Sequence, residues 1–143
     1  MKPYKQLDHT ADLSCSARGK TLEELFENSA RAMFDIISGG RAVKIKDEAE
    51  EVEDIAVRAE GIDNESLLVT WLNELLYLSF SKKILFYKFN ITAVQNFSLS
   101  AVSRGYKISD KTHVKKEIKS VTYHGLKIIK KIRYYEVNII FDV

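Results

Sequence analysis

The feature that most constrains the fold is a change of hydrophobic period. In two long windows before Ile84, apolar residues recur every third or fourth position; from Ile84 onward they recur at every second. The first spacing is that of one face of a helix and the second that of one face of a sheet. Leu22, Leu25, Phe26, Ala30, Met33, Phe34 and Ile37 line the first helix. Thr21-Leu22-Glu23-Glu24 reads as a capping box at its start, with two early glutamates at the positive end of the helix dipole. Gly39-Gly40 ends it, since glycine takes positive φ without strain. Asp63 or Asn64 can cap a second helix carrying Leu67, Leu68, Trp71, Leu72, Leu75 and Leu76. So wide a stripe implies a helix covered on more than one side, with Ser79–Lys83 closing it.

The remaining segments read as strands. Tyr4–Leu7 suits a short edge strand, and Leu13–Arg18 alternates Leu13, Cys15 and Ala17 against Ser14, Ser16 and Arg18. Gly19-Lys20 turns the chain. Ala42–Lys46 is a candidate strand, Asp47–Glu51 a charged turn, and Glu51–Glu60 a strand with a short charged helix as its alternative. Leu85–Val94 and Phe97–Val102 look like antiparallel neighbours, followed by a turn at Arg104-Gly105 and a polar connection, Lys107–Lys116. Glu117–Lys130 alternates until Gly125, and Lys130-Lys131 turns into a last strand, Arg133–Phe141. The expected architecture is α+β, a mainly antiparallel β-sheet with two amphipathic helices packed on it, in a single domain spanning 1–143.

Composition narrows the setting. Forty-five per cent apolar residues with one Pro and six Gly is a globular balance, not a disordered or fibrous one. The single Cys15 has no partner for an internal disulfide, which suits a reduced, cytoplasmic setting, and its strand-like neighbours make it a small core residue. No apolar run approaches the roughly 20 residues that cross a bilayer, and Met1-Lys2-Pro3-Tyr4 lacks the apolar core of a signal peptide, so no membrane partner is expected. The net charge of +2 conceals a split. Residues 1–81 hold 9 Lys/Arg and 16 Asp/Glu, whereas 82–143 hold 13 and 4. Kept apart in space, these halves would make a basic face able to meet RNA or an acidic surface; interleaved, they are a mixed solvated surface. Lys111, His113, Lys115, Lys116 and Lys119 are the basic residues in question.

Asp8-His9-Thr10-Ala11-Asp12 gathers two carboxylates, an imidazole and a hydroxyl into five residues. Two carboxylates are too few for a tight site for a hard cation, and on these residues alone an Asx-type turn is the better account of the stretch. At the far end, Asp142-Val143 sets a side-chain carboxylate beside a terminal one. Brought near Asp12, three or four oxygens from two segments would surround one cation; left apart, the chain end is simply exposed. His9, His113 and His124 have no ligand spacing. No phosphate-binding glycine loop, paired-cysteine site, H-E-x-x-H or hydrolase elbow is present, so neither a catalytic residue nor a nucleotide-binding residue is assigned.

Asp8–Asp12 followed by Thr21–Phe26, Leu67-Leu68 with Trp71–Tyr77, His113 with Lys116–Lys119 and Val121–His124, and the closing Phe141-Asp142-Val143 together resemble the archease family, in order along essentially the whole chain. The chain departs from the family's common pattern at Ser79–Lys83, which is unusually basic. The resemblance implies a small α+β protein that is not itself an enzyme. It would activate an RtcB-type RNA ligase in tRNA splicing, promoting the ligase's guanylylation and multiple turnover. It also implies a divalent cation, calcium foremost, at Asp12 and Asp142, with the carboxylate of Val143 as a further ligand and His9 as a neighbour. The alternative it carries is a chaperone-like module for tRNA-modifying enzymes such as a tRNA cytosine methyltransferase, with tRNA itself a candidate partner. A metal-dependent hydrolase is weaker, because no nucleophile-activating base stands out.

Overall fold

Residues 2–7, 13–41, 51–108 and 114–143 are described in the computed structural model of the chain. They form β1 (Tyr4–Leu7), β2 (Leu13–Gly19), α1 (Leu22–Ser38), β3 (Val52–Glu60), α2 (Asn64–Lys82), β4 (Ile84–Gln95), β5 (Ser98–Lys107), β6 (Ser120–Val121), β7 (Ile128–Lys130) and β8 (Tyr135–Asp142). Every strand pairing among them is antiparallel. One sheet runs β1-β2-β8, with β6 and β7 sharing the far edge of β8; the other runs β3-β5-β4. The architecture is α+β, as the change of period requires. The candidate strand Ala42–Lys46 and the charged turn, up to residue 50, lie outside the described residues.

Both helices touch both sheets. α1 packs on β2 and on β4, while α2 packs on β3 and on β6. This explains the wide stripe of α2: Leu67, Leu68, Trp71, Leu72, Leu75 and Leu76 are all buried and cover about half of its circumference at 3.6 residues per turn. The helix ends follow their sequence signals. Thr21 accepts from the Glu24 N–H at 3.1 Å, the first half of the expected capping box, while among the described residues the return from the Glu24 side chain is not made. Gly39 sits at φ 67°, and the Gly39 and Gly40 N–H groups donate to Ile36 and Asp35, the Schellman arrangement. Asp63 caps α2 through a reciprocal box with Ser66. The alternation of β3 is strand-like: Ile55, Val57 and Ala59 are buried while Asp54 and Glu60 are exposed, which disposes of the helical alternative.

One expected turn and two expected strand boundaries are corrected. Arg104-Gly105 lies inside β5, paired with Asp54 and Glu53. Gly105 serves close approach there, since a β-carbon on it would lie 2.3 Å from Ile84 Cγ2 and 2.8 Å from the Leu85 carbonyl oxygen. The expected antiparallel neighbours do pair, but Phe97 belongs to the two-residue loop Asn96-Phe97 between them and not to the strand, both residues being at positive φ (52° and 58°), as a type I′ hairpin needs. Asn tolerates that conformation; Phe does not. Phe97→Gly should therefore raise stability by about 0.5–1 kcal/mol, read as a higher urea midpoint with an unchanged slope. In Glu117–Lys130 the interruption expected at Gly125 is present but wider, since only Ser120–Val121 and Ile128–Lys130 are strand. After Val121 the chain leaves β8 and turns at Gly125 (φ 74°), and it rejoins β8 at Ile128. Side chains of α2 take the backbone groups at both ends of the break: Val121 N–H donates to Asn73 Oδ1 at 2.9 Å, and Ile128 N–H to Glu65 Oε2 at 3.0 Å. The expected polar connection also loses its first residue, Lys107, to β5, and Ile108 and Val114 are half-buried against the core.

Candidate functional site

β2 and β8 pair from Gly19 with Tyr135 to Leu13 with Phe141. The described residue that follows Asp12 in sequence is thus bonded opposite the residue that precedes Asp142. Asp8–Asp12, His9 included, lie outside the described residues. Asp142 is exposed at the end of β8, paired with Ser120, and its carbonyl accepts from the Lys119 N–H at 2.8 Å. Val143 follows it and is also exposed.

Strand alternation separates the two faces of this sheet. Cys15, Ala17, Val137, Ile139 and Phe141 are buried toward the helices. Ser14, Ser16, Arg18, Glu136, Asn138, Ile140 and Asp142 lie on the outer face. Ser14 is an anomaly on it. The residue is only 5% exposed, and its hydroxyl has no hydrogen-bond partner among the described residues. A buried hydroxyl left unpaired costs roughly 1–3 kcal/mol. It faces outward opposite Ile140, one step along the same face from Asp142. Nothing in the sequence marked Ser14, because an alternating serine reads as an ordinary solvent-facing position.

Among the described residues no three His, Cys, Asp or Glu side chains cluster tightly enough to hold a metal. The donors at the end of β8 are a carboxylate and, nearby, an orphan hydroxyl. Both are hard oxygen groups of the kind calcium and magnesium take, and they suit such an ion in kind while falling short of it in number. Cys15 is no alternative ligand or nucleophile: it is fully buried, and burial pushes its thiol up to about 12.

The basic residues divide. Lys111 and His113 lie outside the described residues, whereas Lys115, Lys116 and Lys119 are exposed. The Lys115 and Lys116 N–H groups both donate to the Ile37 carbonyl, at 2.7 and 3.2 Å. They thereby bring two cations to the negative end of α1, whose own last turn has none. The acidic and basic halves of the sequence interleave. Arg18 pairs with Glu136 at 2.9 Å and Arg104 with Asp54 at 2.8 Å, each pair joining one half to the other. Arg104 holds the Asp54 carboxyl below its ordinary range.

Helices held between antiparallel sheets recur in solved structures. The solution structure of Methanobacterium thermoautotrophicum protein 1598 superposes with a TM-score of 0.75 at 33% identity, covering 100% of both chains. A crystal structure from Thermotoga maritima, described as an archease and possible chaperone, gives 0.64 at 21% identity over 97% of this chain and 96% of that one, which shows the shared fold alone. In sequence, the chain is 37% identical to protein archease of Methanosarcina mazei, covering 99% of this chain and 97% of the relative. It is also 37% identical to protein archease of Pyrococcus furiosus, covering 90% and 89%. Residues 4–143 match the Archease protein family (MTH1598/TM1083). The chain belongs to that family. Among the described residues no helix is long and apolar enough to cross a membrane.

Proposed function

We propose that the chain is a cytoplasmic, metal-binding accessory factor that activates an RtcB-type RNA ligase in tRNA splicing, promoting its guanylylation and multiple turnover while making no bond itself. The observation that supports this reading is the pairing of Leu13 with Phe141, which puts the backbone flanking Asp12 against the backbone flanking Asp142. Asp12, Asp142 and the carboxylate of Val143 are the ligands we assign, with calcium the foremost cation. A bound divalent cation supplies positive charge able to neutralise phosphate oxygens during nucleotidyl transfer. The chain's own part is presentation. The β2–β8 ladder fixes the strand end from which Asp142 projects, and the buried core of Ile139 and Phe141 behind it keeps that end from yielding. Exposure of Asp142 lets the site enter a partner's cleft. The test is ligation with substrate in excess over ligase. Wild-type chain should convert a single turnover into many, and Asp12→Ala and Asp142→Ala should fold normally yet leave the ligase at one turnover. Full stimulation by both variants would overturn the assignment.

The exposed Lys116 and Lys119 favour a second reading, a chaperone-like binding module for tRNA-modifying enzymes such as a tRNA cytosine methyltransferase. It calls for salt-sensitive binding that depends on those lysines and is indifferent to Asp12.

A further inference from the structure

The β7–β8 hairpin carries a feature that neither the core nor the candidate metal site explains. Its loop, 131–134, is closed by a 2.8 Å bond from the Lys131 N–H to the Tyr134 carbonyl. Ile132 projects from that loop and is 100% exposed. Lys130, Lys131 and Arg133 flank it in sequence and Lys127 stands at the other end of β7, all exposed, and residues 127–135 contain no acid. Two acids beside the hairpin are engaged: Glu136 pairs with Arg18, and Glu65 holds the Ile128 N–H. The base of the hairpin is braced, with the Arg18 guanidinium 5.1 Å over the Tyr134 ring and the Lys130 ammonium 5.9 Å over that of Tyr135. Below the tip, Ile129 and Ile140 are partly exposed on the same outer face.

We propose that this tip is a docking knob for a protein partner bearing an apolar socket with an acidic rim, and that this partner is the one that receives the Asp142 end. The identity of the partner rests on the proposed ligase-activating function. The chemistry selects the class of partner. RNA phosphate rewards the four cations but gains nothing from an isoleucine. An anionic bilayer would gain from one isoleucine only a shallow anchor. A protein socket uses both, with the apolar side chain as a desolvated anchor and the cations as a rim that steers the encounter. The geometry permits one partner at both ends. The tip and Asp142 are at opposite ends of β8, about 25 Å apart at roughly 3.3 Å per residue. An interface of ordinary size, about 800 Å² per partner, is about 30 Å across.

The test is titration of the purified ligase with full-length chain by calorimetry at two salt concentrations, alongside multiple-turnover ligation. Ile132→Ser and the double change Lys131→Glu/Arg133→Glu alter only exposed side chains. Each should raise the Kd for the ligase at least tenfold while turnover at saturating chain stays at the wild-type level. Asp142→Ala should do the reverse, binding normally without stimulating. Wild-type affinity in both hairpin variants overturns the knob and leaves the proposed function standing if Asp142→Ala still abolishes stimulation. No binding of the wild-type chain to the ligase removes the function and the knob's partner together. Parallel titrations use a tRNA and phosphatidylserine-containing vesicles. If Ile132 matters for either of these and not for the ligase, the proposal is wrong.

Discussion

Trp71→Ala should lower unfolding free energy by about 3–5 kcal/mol, one of the largest losses available to a single side chain here. Trp71 is fully buried on α2, and its indole N–H donates to the Phe26 carbonyl of α1 at 3.0 Å. Its ring meets Phe89 of β4 edge-on at 6.4 Å, and Phe89 in turn lies 5.7 Å from Phe34 of α1. One side chain therefore ties both helices to the three-stranded sheet. Alanine would leave a cavity bordered by aromatic rings that cannot collapse without moving a helix. Trp71→Phe keeps most of the apolar volume and loses the bond to Phe26, so about 1–2 kcal/mol is expected. Urea unfolding followed by circular dichroism checks both variants, since Trp71 is the only tryptophan and its fluorescence goes with it. A loss below about 1 kcal/mol for the alanine variant would show that the helices do not lean on this residue.

Gly19→Ala should cost about 3 kcal/mol for the opposite reason, overpacking against backbone. A β-carbon on Gly19 would lie 2.2 Å from Leu25 N and 2.7 Å from Glu24 C. No rotamer change relieves a clash with main chain. The first turn of α1 would have to lift off the end of β2, straining the 2.6 Å bond from Asn28 Nδ2 to the Arg18 carbonyl. Gly40 is the control: it has open space around the same added carbon, so Gly40→Ala meets only the penalty of its positive φ. Equal losses at the two positions would contradict the account.

These residues also show where the sequence was readable. The helices were legible because period and caps agree: Thr21, Gly39 and Asp63 each do what their residue type predicts. The last hairpin turns close to the expected Lys130-Lys131 but later: Lys130 is still paired in β7, the loop is 131–134, and the last strand starts at Tyr135 and not at Arg133. Gly105 misled because glycine marks turns and close approaches alike, and only the packing of Ile84 and Leu85 tells the two apart. The loop between β4 and β5 puts Phe97 at positive φ, which no propensity favours, so Phe97 read as strand. Gly125 did mark an interruption, but that the break begins already after Val121 rests on Asn73 and Glu65 of a distant helix, which local alternation could not reveal. The same holds for the candidate site. Acidic residues near both ends of the chain were visible, whereas the pairing of the strands beside them is a long-range register with no local signature. The orphan hydroxyl of Ser14 and the exposed Ile132 follow from packing and were not visible at all.

The central claim is that β2 and β8, the second and last strands, are joined so that Asp12 and Asp142 hold one cation together. Calorimetric titration of the wild-type chain, Asp12→Ala, Asp142→Ala and the double variant with calcium alone tests it most directly. One site is expected in the wild type, and each single variant should lose as much affinity as the double, because ligands of a shared ion are strongly coupled. Losses that simply add, or a single variant that binds calcium as tightly as the wild type, would show that the two carboxylates do not share an ion.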